Sequence, residues 1–192
     1  MWQYEKRLEY PVNIKQTDPK TAQYILSQYG GPDGEINASL RYLSQRYSIP
    51  YREVAGLLTD IATEEIAHFE MIATIVHQLT RDLTPEEIKA SNFGPYYIDH
   101  TLAVWPQAAG GVPQNACEFQ SKGDPITDLM EDMAAEQKAR TTYDNILRVV
   151  KDPDVVDPIR FLRAREVVHF QRFGEALRMV QEHLWTGIHR HS

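Results

Sequence analysis

One short pattern occurs twice in this chain, 101 residues apart: Glu65-Ile-Ala-His68-Phe69 and Glu166-Val-Val-His169-Phe170. Thirty residues before each stands a further Glu, Glu35 and Glu136, and seven residues after each of those a Tyr, Tyr42 and Tyr143. Taken alone, a histidine on a helical stripe is ordinarily a satisfied core residue, and acids on a helix ordinarily face water. Position and repetition argue otherwise here. Val54, Leu58, Ile61, Glu65, His68, Ile72 and Ile75 recur at alternating three- and four-residue steps, the stripe of an amphipathic helix. Glu65 and His68 therefore lie on the apolar face, whereas Glu64 and Glu70 fall off it and are expected to be solvated. A carboxylate turned to the core costs several kcal/mol unless a cation or strong donors neutralise it. The i, i+3 spacing puts both side chains on one side of the helix.

The doubled pattern thus describes a helical hairpin used twice, each copy presenting one Glu from its first helix and a Glu-x-x-His pair from its second. Packed about a pseudo-twofold axis, the copies bring four carboxylates and two imidazoles to a common centre, the ligand set of di-iron and di-manganese carboxylate bundles. Hard oxygen donors with one imidazole per ion suit manganese or iron, while zinc would favour more His or Cys. The ligand types leave manganese and iron both open.

The rest of the chain suits that architecture. Helices are expected at about 19–29 (Asp18 as N-cap, Pro19 at the first position), 33–48, 51–80, 125–151 and 158–185, with a short capped turn at 84–91. The fourth carries the stripe Ile126, Leu129, Met133, Glu136, Arg140, Tyr143, Leu147 and Val150; the last carries Ile159, Leu162, Glu166, His169, Phe173 and Val180. Residues 1–18 read as an extended arm, 81–123 as a long crossover rich in Gly, Pro and aromatics, and 186–192 as a frayed tail. Four principal helices with one long crossover make an all-α, ferritin-like four-helix bundle of two repeated hairpins, filling residues 1–192 as one domain. The net charge of −7 and scattered basic residues argue against nucleic acid. No apolar run approaches a membrane span. The opening MWQYEKRLEYPV has no apolar signal core, so cytoplasmic synthesis is expected. The one cysteine, Cys117, has no base nearby in NACEF and reads as a small buried or half-buried residue.

GGPDGEINASLRYL, LLTDIATEEIAHFEMIATIV, AAEQKARTTYDNIL and REVVHF together resemble the non-haem manganese catalases, in particular their short form that occurs as a bacterial spore-coat component. The likeness runs over about residues 1–185. It implies two manganese ions held by Glu35, Glu65, His68, Glu136 and His169, with Glu65 bridging both. It implies that Glu166 is an outer carboxylate handling protons, and that Tyr42 hydrogen-bonds beside the cluster; Tyr143, its repeat mate, reads as core packing. Some members carry an Arg immediately before the third ligand Glu. Here that residue is Ala135, and Arg140 one turn later could replace its charge or neutralise the carboxylates. Asp60 fits one position of a calcium site found in some members, without recognisable companions.

The reaction so implied is disproportionation of hydrogen peroxide to water and oxygen. The alternatives are a ferritin-like di-iron oxidase or peroxidase, or a spore-coat structural protein with a residual metal site. Rubrerythrin-like electron transfer is disfavoured because no CxxC pair exists. A homo-oligomer, a hexamer by resemblance, is expected from the apolar-aromatic segments around Tyr96, Tyr97 and Trp105. Spore-coat proteins are further partners by resemblance alone.

Overall fold

The computed structural model describes residue 5 and residues 7–118 and 121–189. Among these are seven α-helices: α1 Pro19–Gly30, α2 Glu35–Gln45, α3 Arg52–Thr80, α4 Pro85–Ala90, α5 Gly94–His100, α6 Pro125–Val149 and α7 Pro153–His189. The described residues contain no strand, only an isolated antiparallel bridge between Gln107 and Pro113. Among the described residues, no helix is long and apolar enough to cross a membrane. The chain is the expected all-α bundle, in which α2 pairs with α3 and α6 with α7.

Local chemistry sets the helix starts. The Asp18 carboxylate accepts from Thr21 N–H at the head of α1, and Asp124 accepts from Thr127 N–H at the head of α6. Thr84 and Glu87 close a capping box on α4. α2 is shorter than the expected 33–48, because the GGPDG turn runs to Gly34 and the chain leaves the helix after Gln45. α7 departs most. It begins at Pro153, not Pro158, and continues past the expected frayed end at 185 to His189. Asp152 accepts from Asp154 N–H through its side chain and from Val155 and Val156 N–H through its carbonyl, so the earlier Asp-Pro pair opens the helix. Pro158 is then carried inside it at the cost of one intrahelical bond. The last three residues of the expected tail lie outside the described residues.

α5 was not expected from the sequence. None of its residues is buried, so it has no apolar stripe to betray it. The crossover partly covers its own aromatics: Leu83, Ile88 and Phe93 form a small core on which Tyr96, Tyr97 and Leu102 pack. It also closes on α1 at Gly30, where an added Cβ would stand 2.2 Å from Gln107 N and 2.4 Å from Pro106 C. Cys117 is exposed, not buried, in a 3-10 turn at Ala116–Glu118 whose backbone it helps form by donating to Asn115 Oδ1. The described part of the arm clips to the end of α3: Ile14 N–H donates to Gln78 Oε1, Arg81 donates to Ile14 O, and the Ile14 side chain is fully buried.

Two apolar cores lie at opposite ends of the bundle. One joins α1 and the C-terminal half of α3 to Ile146, Val155, Ile159 and Leu162; the other joins α2 and the N-terminal half of α3 to Leu129, Phe173, Ala176 and Val180. All seven stripe positions expected on α3 and all six on α7 are buried. On α6 the buried face is rotated from the expected one. Asp128, Asp132, Ala135, Ala139 and Ile146 join Leu129, Glu136 and Tyr143 inside, while Met133, Arg140 and Leu147 are only half-buried. Small Ala residues let α6 lie close to α7, and its inward polar residues obscure the apolar period. Between the two cores is a polar layer.

Candidate metal centre

That layer holds the repeated residues. Glu35, Glu65, His68, Glu136, Glu166 and His169 come from α2, α3, α6 and α7, and each is at most 2% exposed. The two halves are arranged alike around Glu65. Its Oε2 is 2.7 Å from His68 Nδ1 and its Oε1 is 2.7 Å from His169 Nδ1. Beyond each imidazole stands a second carboxylate: Glu35 Oε2 at 3.9 Å from His68 Nδ1, and Glu136 Oε2 at 3.6 Å from His169 Nδ1. The imidazole rings lie 5.5 Å apart at 22°. Ligand-type atoms of Glu35, Glu65, His68 and Glu166 all fall within 4.8 Å of one another, as do those of Glu65, His68 and His169.

The tyrosines cross between the halves. Tyr42 of α2 donates to Glu136 Oε1 of α6 at 2.5 Å, and Tyr143 of α6 donates to Glu35 Oε1 of α2. Tyr143 is therefore a hydrogen-bonding residue of the centre and not only core filler. Burial first, then the adjoining carboxylates, pushes both phenols well above their ordinary range, which keeps their protons available to donate. Each bond consumes one oxygen of its Glu and leaves the other aimed at the imidazoles.

Electrostatics separate the two symmetry-related carboxylates. Burial alone would raise Glu65, but His169 and His68 outweigh it and hold the carboxyl well below its ordinary range. For Glu166, burial and then Glu136, Glu35 and Glu65 all push upward, well above that range. Glu35 is raised too, by burial and then Glu65. Burial would lower both imidazoles, yet the carboxylates outweigh it: Glu65 and then Glu64 raise His68 well above its ordinary value, and Glu65, then Glu136 and Glu64, raise His169 to about 12.

Oxygen and imidazole donors converging in this way fit a pair of divalent cations. Glu65 Oε1, Glu136 Oε2, Glu166 Oε1 and His169 Nδ1 are buried without an aligned hydrogen bond. A cation between them would give these atoms the partner that their burial calls for.

Three expectations are corrected. Arg140 donates to Asp144 at 2.6 Å and Gln137 at 2.8 Å and, among the described residues, forms no ion pair with the centre's carboxylates, so it does not neutralise them. Glu64 is not simply solvated. It is half-buried, ion-paired with Arg165 at 2.5 Å, and reaches the outer edges of both imidazoles. Glu70 is likewise half-buried. Asp60 is paired with Arg172 at 2.6 Å. The apolar stripe could not find Glu64, because it sits on the flank and reaches inward; the repeat could have, since its mate 101 residues on is the oppositely charged Arg165.

A helical bundle with paired carboxylates and imidazoles at its centre is the ferritin-like class. A thioferritin from Bacteroides fragilis shares that fold at a TM-score of 0.60 and 19% identity, over 88% of this chain and 92% of its own. Within the class, the chain belongs to the manganese-containing catalase family, whose model matches residues 1–188. It is 53% identical to protein CotJC of Bacillus subtilis over 95% of this chain and 96% of that one. The crystal structure of KatB, a manganese catalase from Anabaena, superposes at a TM-score of 0.87 with 29% identity, over 94% of this chain and 81% of that one.

Proposed function

We propose that this protein is a manganese catalase, converting two hydrogen peroxide molecules into two of water and one of dioxygen. The observation that carries the proposal is the division of Glu65: one oxygen beside each imidazole Nδ1, with a terminal carboxylate beyond each. That arrangement supplies two equivalent half-sites, Glu35 with His68 and Glu136 with His169, bridged by Glu65. Family membership favours manganese over iron as the metal. Manganese held by these residues would supply two-electron redox chemistry towards peroxide.

The chain's own residues do the remaining work. Tyr42 and Tyr143 fix the terminal carboxylates by holding one oxygen of each. Glu166, buried among other carboxylates, is suited to take a proton from peroxide and return it to a departing oxygen. The two apolar cores on either side exclude bulk water from the layer.

Two amide substitutions test the roles. Glu65→Gln removes a bridging charge and should lose much or all of the manganese. Glu166→Gln should keep near-stoichiometric manganese while oxygen evolution falls by roughly 10²–10⁴. Equal metal loss in both would make Glu166 a ligand of a symmetric site. Bound iron without oxygen release from the unmodified protein would refute the catalase reading, and full manganese without turnover would favour a structural role. Assembly as a homo-oligomer, a hexamer by family resemblance, is part of the proposal and rests on that resemblance. Association with a spore coat rests on resemblance; sedimentation at micromolar concentration tests the oligomer.

A further inference from the structure

Each imidazole of the centre has a second edge, a buried Nε2 without an aligned hydrogen bond, and one carboxylate lies beside both. His169 Nε2 is 3.2 Å from Glu64 Oε2, and His68 Nε2 is 3.6 Å from Glu64 Oε1. Glu64 is itself gripped by Arg165 Nε at 2.5 Å. Glu64 and Arg165 are repeat mates, 101 residues apart. Residues related by a pseudo-twofold axis touch only where they lie on that axis, and two acids there would repel. The replacement of one by Arg gives the axis a neutral pair in place of two repelling acids.

The support is unequal on the two sides. His68 Nε2 has another carboxylate within reach, Glu9 Oε2 at 3.4 Å, contributed by the N-terminal arm. For His169 Nε2, Glu64 is the one ion-pair partner among the described residues. A metal-binding imidazole must carry its proton on the nitrogen away from the ion, and an outer carboxylate selects that tautomer and orients the ring.

We propose that Glu64, anchored by Arg165, is a positioning residue for both imidazoles, holding Nε2–H outward and the Nδ1 lone pair inward, with His169 wholly dependent on it and His68 sharing Glu9. This rests on the dinuclear reading above. It makes the two metal sites separable by mutation although their ligands are alike.

The test is manganese titration of the metal-free full chain, followed by equilibrium dialysis and by electron paramagnetic resonance, which distinguishes isolated from coupled manganese(II). The unmodified chain should bind two ions. Glu64→Ala should keep one ion at near its original affinity and bind the other about 10–100-fold more weakly. Isolated-ion signal would then appear at intermediate loading. Glu64→Ala with Glu9→Ala should weaken both ions. A merely structural role would weaken both together in the single variant, and that result overturns the proposal. Two ions at original affinity in Glu64→Ala, or a double variant no weaker than the single, overturns it equally. If Glu64→Ala does not fold, Glu64→Gln with Glu9→Ala replaces it. An amide offers one acceptor oxygen to two N–H groups, so one ion should again be weakened, and two unchanged ions refute the assignment. An unmodified chain that binds no manganese overturns the dinuclear reading itself, a failure seen before any variant is compared.

Discussion

Loading the centre should release protons, and their number can be worked from the geometry. In the metal-free protein Glu35 is raised well above its ordinary value by burial and Glu65, while the neighbouring carboxylates hold His68 and His169 protonated, His169 up to about 12. Each of these three must lose its proton to ligate. At a pH below the folded values of all three, binding both ions should therefore expel about three protons, making the overall loading constant rise about 10³-fold, or about 4 kcal/mol, per pH unit. Glu166 is raised as well. A count near four means that loading ionises it, as taking a proton from peroxide requires, whereas a count near three leaves it protonated and unable to take one. The assay is manganese titration in weak buffer with a pH indicator, repeated by calorimetry in buffers of different ionisation enthalpy. Release of fewer than about one proton per pair of ions would refute the reasoning.

The same groups set the pH dependence of stability without metal. Glu35, Glu166, His68 and His169 all have folded values above their unfolded ones, near 4.5 for the carboxyls and 6.5 for the imidazoles. Their contribution is fully present below those unfolded values and is lost as pH rises towards the folded ones. Glu65, lowered, gives stability that is complete above 4.5 and fades only in acid. From about pH 5 to 8 the chelated protein should therefore melt at progressively lower temperature, and metal should offset the loss increasingly as pH rises. Parallel melts with chelator and with manganese check the opposing trends.

Three further outcomes are expected. Tyr143→Phe leaves Glu35 Oε1 without its donor and should cost about 1–3 kcal/mol in urea titrations of the metal-free chain, with a similar cost for Tyr42→Phe across the axis. Gly30→Ala drives a methyl into the backbone of Pro106 and Gln107; it should destabilise by about 1–3 kcal/mol and expose the crossover to protease, and an unchanged unfolding midpoint would contradict the close approach. Arg140→Ala removes a pair with Asp144 that is remote from the carboxylates, so oxygen evolution should stay within about twofold, as a half-exposed ion pair contributes little.

The inward residues of α3 and α7 were legible because acid and imidazole interrupt otherwise apolar stripes at matching places in two helices. α6 was less so, since Asp128 and Asp132 share its inner face and Ala supplies the close contacts. The start of α7 was misplaced because two Asp-Pro pairs stand five residues apart, and only the side chain of Asp152 decides between them. Tyr143 was undervalued because a tyrosine in a bundle core ordinarily just fills space; its partner, Glu35, is 108 residues away and appears only when the hairpins meet. Glu64 lies off the stripe that located its neighbours, and its use depends on the outward edges of two rings, which no periodicity records.

The tyrosine bonds run from hairpin to hairpin, so neither hairpin completes its own half-site. Among the described residues, every member of the inner layer comes from α2, α3, α6 or α7, and none from the crossover between α3 and α6. For the centre itself, that long connection acts as a tether: it raises the effective concentration of one hairpin around the other, to the millimolar range typical of flexible linkers or above where the segment is packed. Two separately made halves, 1–80 and 121–192, therefore contain the whole inner layer between them. Manganese would join them as a shared ligand joins the subunits of a dimer, with the ion supplying the cohesion that covalent continuity supplies in the intact chain.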